Sequence, residues 1–181
     1  GATIYLDGGS TVLALARRLG ERRGLTVITN SLMVAAELME GGHGHRLILL
    51  GGEFRALSRT LVGPLTLPVL ERLHPDQAFM GTIGFMVTDG ISTTDAGEAF
   101  TKEQVMRRAR QVILLADTAK LAQPSLVTSG SIGDIDILVT EAAPPVALAR
   151  QLRKLGIKVI HQPRPEPRQE TKDHKRKAER L

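Results

Sequence analysis

The chain has 181 residues, 42% of them apolar and 3% aromatic, with no Trp and one Tyr, which makes one medium domain with an aliphatic core. It has no cysteine, which excludes a disulfide scaffold, a thiol nucleophile and a Cys-based zinc site. The net charge of +5 sits unevenly: His161–Leu181 hold seven Lys or Arg against four Asp or Glu, leaving seventeen against fifteen before them, so charge does not support a DNA-reading face on the folded part.

The first residues, Gly1-Ala2-Thr3-Ile4-Tyr5-Leu6-Asp7, have neither a basic start nor a long apolar stretch, so no signal peptide is visible. In chain order the pattern predicts a strand at Thr3–Leu6, a helix at Thr11–Arg22, a strand at Leu25–Thr29, a helix at Leu32–Glu40 and a strand at Arg46–Leu50. A helix at Leu65–Leu73, a strand at Gln77–Met80, a helix at Glu98–Ala109 and strands at Gln111–Ala116 and Ile135–Thr140 follow. A helix at Val146–Leu155 and a strand at Lys158–Ile160 complete the set. Several strands are apolar throughout, as expected when both faces are covered. Strands alternating with helices predict an α/β fold, a mainly parallel sheet with helices on both faces. The longest apolar runs, such as Leu47–Leu50, are far too short to cross a bilayer. Beyond Ile160 the composition changes to Gln162-Pro163-Arg164-Pro165-Glu166-Pro167 and an almost wholly polar stretch. The expected organisation is therefore a domain over 1–160 and a charged, flexible tail over 161–181.

In parallel α/β sheets ligands gather beyond the carboxyl ends of the strands, and the unusual residues of this sequence fall there. Asp7-Gly8-Gly9-Ser10-Thr11 lies between the first strand and a helix, where a close backbone approach, two hydroxyls and exposed N–H groups suit a phosphate. It is equally read as an ordinary glycine turn with Ser10 as N-cap. The spacing fits neither a P-loop nor a dinucleotide-binding motif. Asn30 ends the second strand, as a helix cap or a ligand contact. Gly52 and Glu53 follow the third, with Arg55 nearby, and suit hydroxyl recognition or a plain turn. Gly81, Thr82 and Gly84 close the fourth, with no carboxylate among them. Thr94, Glu98 and Lys102 come next; Glu98 and Lys102 are four apart on one helical face, in a binding site or as a surface ion pair. Asp117 and Lys120 follow the fifth strand, where a lysine supplies a point charge for a phosphate or merely belongs to a capped turn. No His pair has metal-ligand spacing: His43 and His45, at the turn Gly41–Gly44, read as a solvated loop, and no metal is expected.

Taken in order, these segments resemble the C-terminal sensor domain of DeoR-type transcriptional repressors. The resemblance continues through Leu61-Val62-Gly63-Pro64, Asp76-Gln77-Ala78-Phe79-Met80-Gly81 and Gly90-Ile91-Ser92-Thr93-Thr94, and covers about Thr3 to Ile160. It implies a fold similar to ribose-5-phosphate isomerase, glucosamine-6-phosphate deaminase and CoA transferases. It implies a phosphorylated sugar or related metabolite as effector, homo-oligomers in the cytoplasm, and operator DNA bound only through an N-terminal winged helix-turn-helix, which is absent from this chain. Ala119 departs from the pattern, standing where the family often has a second hydroxyl before the lysine.

Three functions compete. A sensor needs a cleft and nothing more, and is the expectation, with no catalytic residue and no cofactor. A sugar-phosphate isomerase or deaminase of the same fold needs a positioned base, and Gly81-Thr82-Ile83-Gly84 offers none, leaving Glu98 as a possible base that its pairing with Lys102 would hold ionised. An assembly domain with a vestigial pocket would not need the glycines, hydroxyls and two lysines together.

Overall fold

The structure is a computed structural model that describes residues 1–42 and 44–162. The expectations for His43 and for residues 163–181 lie outside the described residues.

Seven parallel strands form the main sheet: β1 (Thr3–Leu6), β2 (Thr26–Thr29), β3 (Arg46–Leu49), β6 (Gln77–Gly81), β9 (Val112–Leu115), β11 (Ile137–Thr140) and β12 (Lys158–His161). Their order is β12-β11-β9-β6-β1-β2-β3. These are the seven strands expected from the sequence, with β12 reaching His161, one residue past the expected boundary of the domain. Five further strands pair antiparallel and were not expected. β4 (Glu53–Arg55) and β5 (Thr60–Val62) make a hairpin, while β7 (Gly84–Met86), β8 (Gly90–Thr93) and β10 (Val127–Gly130) make a small sheet. They are three or four residues long and each carries a Gly, Ser, Thr or charged residue, so no apolar run announces them.

The helices are α1 (Ser10–Arg18), α2 (Leu32–Glu40), α3 (Leu67–Leu70), α4 (Ala96–Met106) and α5 (Val146–Lys154). The expected first helix is shorter at its end because Leu19–Glu21, around Gly20, tightens into a 3-10 turn. The expected third helix shrinks to α3, since Pro64 and Pro68 withhold N–H groups and Pro64–Thr66 is again a 3-10 turn. The fourth starts earlier than expected because Asp95, accepting from Glu98 N at 2.8 Å, caps it.

Chain direction explains why both faces are covered. From β1 the chain steps outward to β2 and β3 through α1 and α2, then returns past β1 to β6 and steps the other way to β9, β11 and β12. Right-handed crossovers put the first helices on one face and the later elements on the opposite one. Ile4, Leu6, Val27, Ile113 and Leu115 accordingly pack against Val12 and Ala16 of α1 and Val34 and Leu38 of α2. The alternate residues Tyr5, Ile28, Met80, Leu114 and Leu138 pack against Leu70, Val105, Leu148 and Leu152 of α3, α4 and α5, and against Phe85 and Ile91 of the small sheet.

Within the small sheet, the turn from β7 into β8 ends at a position that admits only glycine. Gly90 has φ +82°, and a Cβ there would stand 2.0 Å from Gly130 O of β10. Gly156 has nearly the same backbone, φ +80°, with open space around it. Gly156→Ala is therefore expected to cost about 1–2 kcal/mol, the left-handed strain alone. Gly90→Ala is expected to cost about 3 kcal/mol or more, strain plus overpacking, as measured by urea unfolding of both variants.

Candidate functional site

The point where the strand order reverses lies between β1 and β6, and in open parallel sheets a crevice opens at that point beyond the strand ends. Here it holds Asp7, directly after β1, and Gly81, which ends β6. Asp7 is 2% exposed. Its Oδ2 accepts Gly81 N at 3.0 Å and is ion-paired with Lys102 Nζ, which also donates to Gly81 O at 3.0 Å. Lys102, 4% exposed along its side chain, comes from the middle of α4. The two central strands and the helix above them are thus joined by one buried pair.

The pair continues as a chain of charges. Glu98 Oε1 lies 3.9 Å from Lys102 Nζ, and Glu98 Oε2 accepts Thr93 Oγ1 at 2.8 Å and lies 3.7 Å from Arg55 Nη1. Arg55 extends to Asp95 at 3.4 Å and donates to Ser58 Oγ at 3.0 Å and Thr94 Oγ1 at 3.1 Å. The Glu98–Lys102 pair is thus buried, which corrects the surface alternative. Tyr5 lies beneath it with a buried hydroxyl that has no partner among the described residues. Burial first, and the carboxylates of Asp7 and Glu98 next, push its phenol well above the ordinary value, so it stays neutral.

A cleft of about 460 Å³ opens above this network. Of the residues singled out in the sequence, Gly8, Gly9, Ser10, Thr11, Gly81, Thr82, Glu98, Lys102 and Lys120 line it. Gly9, at φ +113°, occupies the N-cap position of α1 with no side-chain cap, and Ser10 is already helical. The alternative of Ser10 as cap is therefore corrected, and the first-turn N–H groups are left without a capping side chain. Lys120 ends a 3-10 turn, Thr118–Lys120, anchored at both sides. Asp117 Oδ1 accepts Lys120 N at 3.2 Å, and Glu141 accepts Thr118 N at 3.0 Å. The Thr118 hydroxyl and N–H together hold the Glu141 carboxylate below the usual range.

The other seven lie outside the lining. Asp7 sits beneath it, Asp117 beside it, and Thr94 is exposed behind Arg55. Asn30 is buried and donates to Leu61 O at 3.1 Å, so it secures β5, while Ser31 caps α2 by accepting Val34 N at 3.3 Å. Gly52, at φ +152°, leaves room for Val62, whose N would stand 3.0 Å from a Cβ. Glu53 is exposed on β4, and Gly84 lets β7 pass close to Gln123 O, 2.4 Å from where a Cβ would stand. His45 is half-buried, with Nε2 3.2 Å from Leu19 O, rather than solvated. The hairpin supplies lining that the sequence reading did not include, from Leu57, Ser58 and Arg59, and Arg55 lies nearer the centre than expected. The missing signal was the hairpin itself: a three-residue strand ending in Arg55 does not look like a strand.

The family model of the DeoR C-terminal sensor domain matches residues 1–142. The chain belongs to the DeoR sensor-domain family. It is 31% identical over 160 residues to the HTH-type transcriptional regulator GlpR of Haloferax volcanii, covering 88% of this chain and 62% of that protein. It is 32% identical over 152 residues to the glycerol-3-phosphate regulon repressor of Escherichia coli, covering 84% and 60%. To the HTH-type transcriptional repressor GlcR of Bacillus subtilis it is 31% identical, covering 88% and 61%. The chain thus spans about three fifths of the length of these curated relatives. Among solved structures, a ribose 5-phosphate isomerase from Methanocaldococcus jannaschii is similar at a TM-score of 0.47 and 20% identity, covering 67% of this chain and 47% of that one.

In this DeoR sensor domain the Asp7–Lys102 pair is the most exacting part of the site. Removing one partner strands a charge away from water, so Lys102→Met is expected to cost about 3–5 kcal/mol in urea unfolding. Asp7→Asn combined with Lys102→Met leaves no buried charge at that point and is expected to cost less than Lys102→Met alone.

Proposed function

We propose that this domain is the effector sensor of a transcriptional regulator of carbohydrate metabolism and binds a phosphorylated sugar or a related phosphate-bearing metabolite without transforming it. The observation that carries this is the uncapped start of α1 facing the same cleft as Lys120. Free first-turn N–H groups and a flexible ammonium make an anion site. Hydroxyls of Ser10 and Thr11 add donors and acceptors for a sugar around it.

Catalysis of the isomerase or deaminase kind needs a base free to move a proton. The turn after β6 has no acid, and Glu98, the one carboxylate lining the cleft among the described residues, is held by Thr93, Arg55 and Lys102. An ionised Glu98 locked in that network suits positioning better than proton transfer. In the whole regulator, operator DNA is read by a separate winged helix-turn-helix, the domain assembles as a homo-oligomer, and the protein works in the cytoplasm. Among the described residues no helix is long and apolar enough to cross a membrane.

Thermal unfolding against a panel of sugar phosphates, with the free sugars alongside, tests the reading. A ligand at about a hundred times its dissociation constant adds roughly 2.7 kcal/mol. Lys120→Ala is expected to weaken sugar-phosphate binding about tenfold or more while the unliganded midpoint stays within about 2 °C of wild type, because among the described residues the Lys120 side chain has no partner to lose but Asp117 in its own turn. The same mixtures are expected to show no turnover of ribose 5-phosphate or glucosamine 6-phosphate. Unchanged affinity in Lys120→Ala removes that residue from the site.

A further inference from the structure

The cations facing the cleft are not equally committed. Lys102 is held by Asp7, Gly81 O and Glu98, and Arg55 by Glu98, Asp95, Ser58 and Thr94. Lys120 shares its charge with Asp117 at 3.4 Å. Arg59 differs. Among the described residues its guanidinium has no carboxylate partner, and the hydrogen bond it makes is a weak one, Nη1 to Met33 Sδ at 3.3 Å.

The backbone at Arg59 is strained as well. Its φ is 53°, in the left-handed region that favours glycine and costs a residue with a Cβ about 1–2 kcal/mol. The chain is pinned there on both sides: Leu32 N donates to Arg59 O at 3.0 Å, and Thr60 bridges Ser31. Thr60 Cγ2 stands 2.4 Å from where a Cβ on Gly8 would be, so the foot of the hairpin rests on the Gly8–Thr11 turn. Strained, over-determined residues at the wall of a cleft point towards function.

We propose that Arg59 is a second cationic contact for the effector's phosphate, holding it from the side opposite Lys120. This rests on the reading of the cleft as a phosphate site. Strand order supports it. Lys120 follows β9, the Gly8–Thr11 turn follows β1, and Arg59 stands by Ser31 and Leu32, just past β2, so in the order β9-β6-β1-β2 the turn lies between the two cations. Charge supports it too. A phosphate monoester near neutral pH carries about 1.5 to 2 negative charges, more than a lysine already shared with Asp117 offsets. The guanidinium fork takes two phosphate oxygens at once, which an ammonium does not.

Strain and binding make opposite demands on this position, and that separates a ligand contact from a structural residue. Arg59→Gly, Arg59→Lys, Lys120→Ala and wild type are compared by thermal unfolding without ligand and by calorimetric titration with glucose 6-phosphate and glycerol 3-phosphate. Arg59→Gly is expected to melt at or above the wild-type temperature and to bind at least about tenfold more weakly, with Arg59→Lys in between for binding. Wild-type binding that Arg59→Gly leaves within twofold overturns the role of Arg59 and leaves the cleft reading intact. An Arg59→Gly protein that loses thermal stability along with affinity also overturns it, since Arg59 would then be structural. A wild-type protein that binds neither phosphate overturns both readings.

Discussion

Everything in the upper part of this molecule hangs on one buried ion pair, Asp7 with Lys102. It sits where the order of the parallel strands reverses, the one place in such a sheet where neighbouring strands send their connections to opposite faces and leave a gap. Asp7 ties β1 to β6 through Gly81 N, and Lys102 ties both to α4. Two charges so deep are costly unless each is satisfied, and here the backbone of Gly81 supplies both a donor and an acceptor. These bonds fix the floor of the cleft to both central strands and to α4.

From that floor the charges run outward to the surface, through Glu98 and Arg55 to Asp95 at the head of α4. Arg55 belongs to the hairpin, so the same chain that closes the floor also fixes the wall. The remaining wall is α1, whose start has no side-chain cap, and the turn carrying Lys120, which Asp117 and Glu141 anchor. The charges that make the frame are neutralised within it, while Lys120 and Arg59 at the rim stay turned towards whatever enters. A binding protein needs this division between frame and contact. An isomerase would need a carboxylate free of the frame, and Glu98 is inside it.

The sequence made the frame legible and the wall much less so. The strands of the main sheet are apolar and β-branched because both faces are covered, so Val112-Ile113-Leu114-Leu115 is unmistakable. Gly8-Gly9-Ser10-Thr11 and Lys120 were conspicuous because they interrupt such runs at strand ends. Glu98 and Lys102 were visible as a helical pair, yet spacing says nothing of burial, and a surface pair reads the same until Asp7 is seen beneath it. Asn30, Gly52 and Gly84 were singled out because polar and glycine residues after strands often contact ligands; spacing alone did not show that they also hold the hairpin and the small sheet together. Arg59 had no sequence signature at all. Its position depends on a left-handed turn in a hairpin of three-residue strands, and that turn is set by contacts with Leu32, Ser31 and Gly8 from distant parts of the chain.

The central claim is that the start of α1 receives the effector's phosphate. Titration of isotope-labelled protein with glucose 6-phosphate, followed by the shifts of individual backbone amides, tests it without any substitution. The account predicts the largest shifts at the amides of Gly9, Ser10 and Thr11, saturating together with those around Lys120. Saturable shifts centred instead on Glu141, just after β11, and His161, at the end of β12, with the Gly9–Thr11 amides unmoved, would contradict it.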